Sequence, residues 1–231
     1  MGGTVAMRQA HPIIDTMKSR LTAGMRRVVL SSVIAVAGLA WAGKHFVMPQ
    51  TQAAKTYPRH DDHTDEKVAV ALEPYDTLDK ASIFSIHFNE IGFAPLLVVI
   101  TNDSDQPVSI NDLQAQLVTA RRDKIPPATD DDIYRRITRP PAGPSGSPLP
   151  WPKKKGGVSQ DWRDEVQGAQ FAARAVEPHS SQSGFMFFDV SGIANPLAGA
   201  HLYLSGVRDA KGNEMMYFEV PLDKPEPDSP K

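Results

Sequence analysis

Apolar residues that alternate with polar ones, or run together in short blocks, recur from Val68 to Val220 and commit this chain to β-structure. Lys67–Leu72 alternates around Val68, Val70 and Leu72. Ile83, Phe84, Ile86 and Phe88 form a second apolar segment, and Phe93–Thr101 is a continuous apolar run ending at Asn102. Val108, Ile110, Leu113, Ala115 and Leu117 continue with period two. Gly184–Val190 and Ala200–Val207 follow, and Asp209-Ala-Lys-Gly212-Asn is a hairpin turn from which Met215–Val220 pairs back. Strands of this kind bounded by Asn, Asp, Gly and Pro predict an antiparallel sheet domain. Between Asn102 and Pro107 the chain is a polar stretch with the chemistry of an Asx turn. It has oxygens at alternate positions but lacks the Gly and distal Glu of a calcium loop.

Two helices are predicted inside this pattern. Thr129 caps the first, with Asp130, Asp131 and Asp132 in its first turn, where the helix dipole favours carboxylates, and Ile133 and Ile137 give it one apolar face. Ser159 or Asp161 caps the second, whose face is expected to carry Trp162, Val166, Ala169 and Ala173. Between them, residues 140–157 hold six Pro and four Gly, which exclude regular structure and favour polyproline conformations. Residues 129–170 thus read as one insertion between two strands of a domain spanning 67–222.

The N-terminus points to the cell envelope. Arg26-Arg27 precede Val28–Ala42, fifteen residues without a charge. That length fits the apolar core of a signal peptide; read on to Met48, the segment is long enough to span a bilayer if Lys44 snorkels outward. Ala40-Trp41-Ala42 has the small-x-small form of a cleavage site. A leader over 1–27, rich in Arg and Lys, places the N-terminus in the cytoplasm and the domain outside it. A start at Met25 would make an ordinary signal peptide, and Met25–Leu30 loosely resembles a twin-arginine motif. The expected order is a basic leader (1–27), a signal or transmembrane anchor helix (28–48), a flexible linker (49–66), the domain, and a disordered tail (223–231). The membrane is then a partner through residues 28–48. A single-pass inner-membrane protein with its C-terminal domain outside the cytoplasm is the first reading, and a cleaved, exported protein the second.

Composition narrows the function. With no cysteine in 231 residues, disulfides, thiolate metal sites and a cysteine nucleophile are excluded. A net charge of −2 argues against a nucleic-acid partner recruited by global positive charge. The chain contains no Gly-x-Ser-x-Gly elbow, no His-Glu-x-x-His, no Walker loop and no Gly-x-Gly-x-x-Gly after a strand, so the reading is non-enzymatic and without a cofactor.

Two clusters remain as candidate sites. His60, Asp61, Asp62 and His63, followed by Asp65 and Glu66, offer metal-ligand chemistry with a His pair at i, i+3. Arg135, Arg136, Arg139, Lys153, Lys154 and Lys155 supply six positive charges without an intervening acid. Trp151 sits among them between two prolines, a composition that suits an anionic surface or an envelope protein as partner. His87, His179 and His201 read as structural or surface residues.

The stretch Leu97–Ile110 (LVVITNDSDQPVSI), with Val176–His179, Gly184–Asp189, Leu202–Leu204 and the Asp209–Gly212 hairpin, resembles exported bacterial proteins with an immunoglobulin-like domain. The resemblance implies an antiparallel immunoglobulin-like β-sandwich without the Cys…Trp…Cys core of antibody domains, and transfers no functional residue. The fold expected is therefore mainly β: an immunoglobulin-like sandwich with a short helical and Pro-rich insertion, preceded by an apolar helix. The function expected is that of an exported or membrane-anchored module that binds an envelope partner or surface. An envelope hydrolase acting on glycan or lipid, and a metal-handling protein using His60–Glu66, are the alternatives.

Overall fold

The computed structural model describes residues 46–139 and 157–223. The leader, the uncharged run Val28–Ala42, Trp151, Lys153, Lys154, Lys155 and the tail beyond Asp223 lie outside the described residues.

Among the described residues ten strands form: β1 (His60–His63), β2 (Val68–Pro74), β3 (Phe93–Asn102), β4 (Val108–Ser109), β5 (Gln114–Val118), β6 (Lys124–Ile125), β7 (Ala175–Val176), β8 (Ser180–Asp189), β9 (His201–Ser205) and β10 (Phe218–Pro221). They make two four-stranded sheets, in the orders β1-β2-β3-β8 and β10-β9-β5-β6, plus the pair β4-β7. The strands pair antiparallel throughout. The described residues also hold three α-helices, α1 (Leu78–Ala81), α2 (Asp130–Thr138) and α3 (Gln160–Ala169). The chain is mainly β, with antiparallel sheets, as expected.

The two sheets share one core. Val68, Val70 and Leu72 of β2 and Leu96, Val98 and Ile100 of β3 pack with Leu117, Leu202, Leu204, Phe218 and Val220 of the second sheet. Strand period two sends the intervening residues the other way, and these are apolar too. Ala69, Ala71, Leu97, Val99, Phe185 and Phe187 belong to a second cluster on the opposite face of the first sheet. Ile133 of α2 and Val166 and Ala169 of α3 complete that cluster, together with Phe84, Ile86 and Phe88. The first sheet is therefore covered on both sides, which is why β3 is buried along all ten residues.

Several expectations are corrected by this second layer. Ile83–Phe88 is not a strand; it is a run of turns between α1 and β3. Its residues are apolar because they lie over the first sheet: the Phe84 ring is 5.0 Å from those of Phe88 and Phe185. Residues 49–66 are not a flexible linker. They contain a 3-10 turn at Ala54–Thr56, and β1 pairs with β2 in the register His60↔Ala71 to His63↔Val68. Ala54 is fully buried and donates its N–H to Thr101 Oγ1 at 2.8 Å. An edge strand is held by backbone bonds and tolerates charged side chains, so HDDH carries no hydrophobic signature. The helix expected over 28–48 does not reach Met48: Phe46, Val47 and Met48 are non-helical, and Phe46 stacks on Phe84 at 5.4 Å. Asp223, expected to open the tail, accepts the Gly199 N–H at 2.9 Å.

The helix starts agree with the caps. Thr129 Oγ1 accepts from Asp132 N at 3.3 Å while Asp132 Oδ2 accepts from Thr129 N at 3.1 Å, a reciprocal capping box. Ser159 caps α3 through Trp162 N. That helix ends at Ala169, so Ala173 is not on its face, and Trp162 stays exposed. Glu165 takes the buried place instead. Gly184 in β8 is required by close approach: a Cβ there would overlap the backbone of Phe171.

Candidate functional site

The His60–Glu66 cluster is spread out by its own strand. Alternation along β1 puts His60 and Asp62 on one face and Asp61 and His63 on the other, so the i, i+3 His pair does not converge. His60 Nδ1 lies 2.7 Å from Tyr57 O, and Asp62 pairs with Lys55 at 3.3 Å. His63 stacks on Phe218 with centroids 4.0 Å apart, Nδ1 2.8 Å from Glu66 and Nε2 3.4 Å from Asp61. Asp61 accepts the Glu219 N–H of β10 at 2.8 Å. The cluster joins the edges of the two sheets. Among the described residues no group of three or more His, Asp and Glu is arranged to hold a metal ion.

The basic insertion is also divided. Arg136 lies over the Phe93 ring at 5.3 Å, donates to Ile91 O at 3.2 Å, and pairs with Asp189 and Ser191. It ties α2 to the ends of β3 and β8 and is a structural residue. Arg135 pairs with Asp132 at 2.9 Å, one helical turn back. Arg135 and Arg139 are exposed; Trp151 and the three lysines lie outside the described residues.

A cleft of about 560 Å³ opens between the start of α2 and the edge of β8, lined by Thr129, Asp130, Gln170, Phe171 and Met186 among others. Several of its polar groups are already engaged with one another. Gln170 donates to Asp130 at 2.5 Å, Ala128 N to Phe187 O at 2.7 Å, and Phe171 N to Phe185 O at 3.0 Å. The last two bonds cover the outer edge of β8. Asn102 in the predicted Asx turn is fully buried and donates to Gln106 O and Val176 O, so the turn is a structural joint.

The outward face of the second sheet differs from all of these. Leu202 and Leu204 point into the core, which turns His201, Tyr203 and Ser205 of β9 outward. Register places Glu219 on one side of Tyr203 and Gln116 on the other. It also places Val118 and Pro221 beside His201, and Lys124 beside Val118. The Tyr203 hydroxyl donates to Glu219 Oε1 at 2.6 Å, and His201 Nδ1 is 3.0 Å from the same oxygen. That carboxylate raises the Tyr203 phenol above its ordinary range, so the hydroxyl remains a donor. The three rings form a strip: His201 to Tyr203 is 6.4 Å at 27°, and Tyr203 to Tyr217 is 5.8 Å at 42°. Tyr217 is 52% exposed.

Sequence reasoning placed His201 in a strand and missed the strip. The signal was present in the alternation His-Leu-Tyr-Leu-Ser, where the aromatic residues occupy the positions opposite the leucines. Comparison with protein-family models, with curated proteins and with solved structures finds no match for this chain.

Proposed function

We propose that this chain is a non-enzymatic binding module of the cell envelope. In this reading it is an immunoglobulin-like sandwich carried by an N-terminal signal or membrane segment, and it works by surface contact with an envelope partner or surface. The observation that carries the binding part is the outward face of the second sheet, where Tyr217 is exposed and His201, Tyr203, Gln116 and Glu219 are half-buried and reach solvent in part. Two four-stranded antiparallel sheets over one shared core support the sandwich. The envelope part rests on the sequence alone, on Arg26-Arg27 followed by the uncharged Val28–Ala42. No helix among the described residues is long and apolar enough to cross a membrane. No observation among the described residues favours the hydrolase or the metal-handling alternative.

The test is to express the full chain, separate cytoplasm, soluble envelope and membranes, and read its intact mass in each. Full-length protein in the membrane fraction is the expected result for a retained anchor. A species starting near Gly43 in the soluble envelope is expected for an exported form. Recovery of full-length protein from the cytoplasm overturns the envelope reading. Phe46, the first described residue, already packs against the second core cluster, and Gly43, Lys44 and His45 separate it in sequence from the uncharged run.

A further inference from the structure

We propose that the outward face of the second sheet binds an uncharged glycan chain along the strip His201–Tyr203–Tyr217. The inference rests on the binding-module reading and names its ligand class.

The strip supplies the two contacts that a pyranose requires. A sugar ring presents C–H groups on its faces and hydroxyl groups at its rim. Aromatic faces meet the former, through weak C–H contacts and apolar burial. Planar amide and carboxylate groups meet the latter by hydrogen bonds to neighbouring hydroxyls. Here three rings follow one another at 6.4 and 5.8 Å, and Gln116 and Glu219 flank the middle ring on the adjacent strands. Successive rings beside polar side chains fit a linear polymer of repeating rings.

Charge decides between ligand classes. The outward strand positions are Gln114, Gln116, Val118, Lys124, His201, Tyr203, Ser205, Glu219 and Pro221. They carry one acid, Glu219, and one fixed base, Lys124. A polyanion needs several bases, and a basic peptide several acids. A surface with one of each complements a neutral polymer. The aliphatic side chains available, Val118 and Pro221 on the strands and the exposed Met216 beside Tyr217, are few for the desolvated centre of a protein interface.

The site is also held ready before a ligand arrives. The Tyr203 hydroxyl bonded to Glu219 fixes the central ring, so less rotamer freedom is lost on binding. Tyr217 is fixed by less and is half exposed.

The experiment is retention of the full chain, in mild detergent, on insoluble chitin, cellulose and amylose, with dextran sulfate beads as polyanion control. Retention on at least one neutral polymer is expected. Tyr203→Ala and Tyr217→Ala are each expected to weaken it about tenfold, the loss of one aromatic contact. Tyr203→Phe keeps the ring and is expected to retain most of the binding. Circular dichroism and the urea midpoint report folding. If Tyr203→Ala does not fold, Gln116→Ala and Tyr217→Ala carry the test. Failure of every neutral polymer to retain the protein overturns the proposal, as does retention that Tyr203→Ala and Tyr217→Ala leave unchanged. Retention on dextran sulfate alone, lost when Arg135, Arg139 and Lys153–Lys155 become Gln, overturns this face while leaving a binding module. Absence of retention on all four supports, with full-length protein in the cytoplasm, removes both readings.

Discussion

Glu165 of α3 holds the backbone of Ile86: its Oε1 accepts the Ile86 N–H at 3.0 Å across 79 residues of sequence. The same carboxylate accepts from Ser85 N at 3.0 and 3.1 Å and from the Ser85 hydroxyl. A buried charge is tolerated because its oxygens are engaged, and it binds the helical insertion to the aromatic turns covering the first sheet.

Removing that carboxylate leaves two backbone donors without partners in a nearly closed site. Glu165→Ala is expected to cost about 3 kcal/mol, and Glu165→Gln, which keeps one acceptor, roughly half of that. The urea midpoints of the two variants at neutral pH check the order. Equal stability of both with the parent would contradict the role assigned to this residue.

Gly184 has no room for a side chain against the Phe171 backbone. Gly184→Ala must displace the segment that covers the β8 edge, at a cost of about 1–3 kcal/mol. In a domain of this size that is a fall in Tm of roughly 3–10 °C, measured by thermal circular dichroism.

Arg136 combines a carboxylate, a hydroxyl, a carbonyl and an aromatic face. Arg136→Lys keeps the charge but not the planar fork, and is expected to destabilise by about 1 kcal/mol or more. Arg135→Gln, on the exposed side of the same helix, is expected to change stability by less than about 0.5 kcal/mol. A urea titration of each separates the structural cation from the surface one.

Burial, with the charge of Glu73 adding to it, pushes the Tyr75 phenol up to about 12. Its pKa is higher folded than unfolded, so its contribution is complete below about pH 10 and is lost as pH rises towards about 12. Tyr75→Phe removes the ionisation and keeps the ring, which sits 4.8 Å from Phe185. Tm measured from about pH 9 to 12 should fall less steeply in the variant. Parallel curves would refute the assignment.

At the acid end the sign reverses. The Thr129 hydrogen bonds hold the Asp132 carboxyl below its ordinary range. The capping box is therefore present above about pH 4 and is lost as the pH falls below that. Thr129→Ala is expected to cost about 1 kcal/mol at neutral pH and less under acid, as read from Tm at several pH values.

Local chemistry was readable where a residue acts on its own neighbours. The caps Thr129 and Ser159 and the run Phe93–Thr101 were found in the sequence for that reason. The turn at Asp209–Gly212 was too: Gly212 has φ +85° and its N–H returns to Asp209 O at 2.9 Å. What was not readable depends on distant partners. Strand β1 has no apolar residue, and only its pairing with β2 makes it a strand. Ile83–Phe88 carries enough apolar side chains for a strand but uses them as a cover. The aromatic strip joins Gln116 to residues more than eighty positions later, through a register that no local pattern encodes. The His60–His63 spacing would converge on a helix or loop, and the strand that separates the two rings is set by the pairing with β2.

A sheet packed on both sides has no surface to lend, and that sets where this molecule can vary. Nearly every substitution in β2 or β3, or in Gly184–Phe188 of β8, touches one of two cores. The outward positions of β5, β9 and β10 touch neither. They can exchange one polar or aromatic side chain for another at little cost to folding. The architecture thus separates a half that must be inherited intact from a half that selection is at liberty to retune, and new specificities would arise on the second without endangering the first.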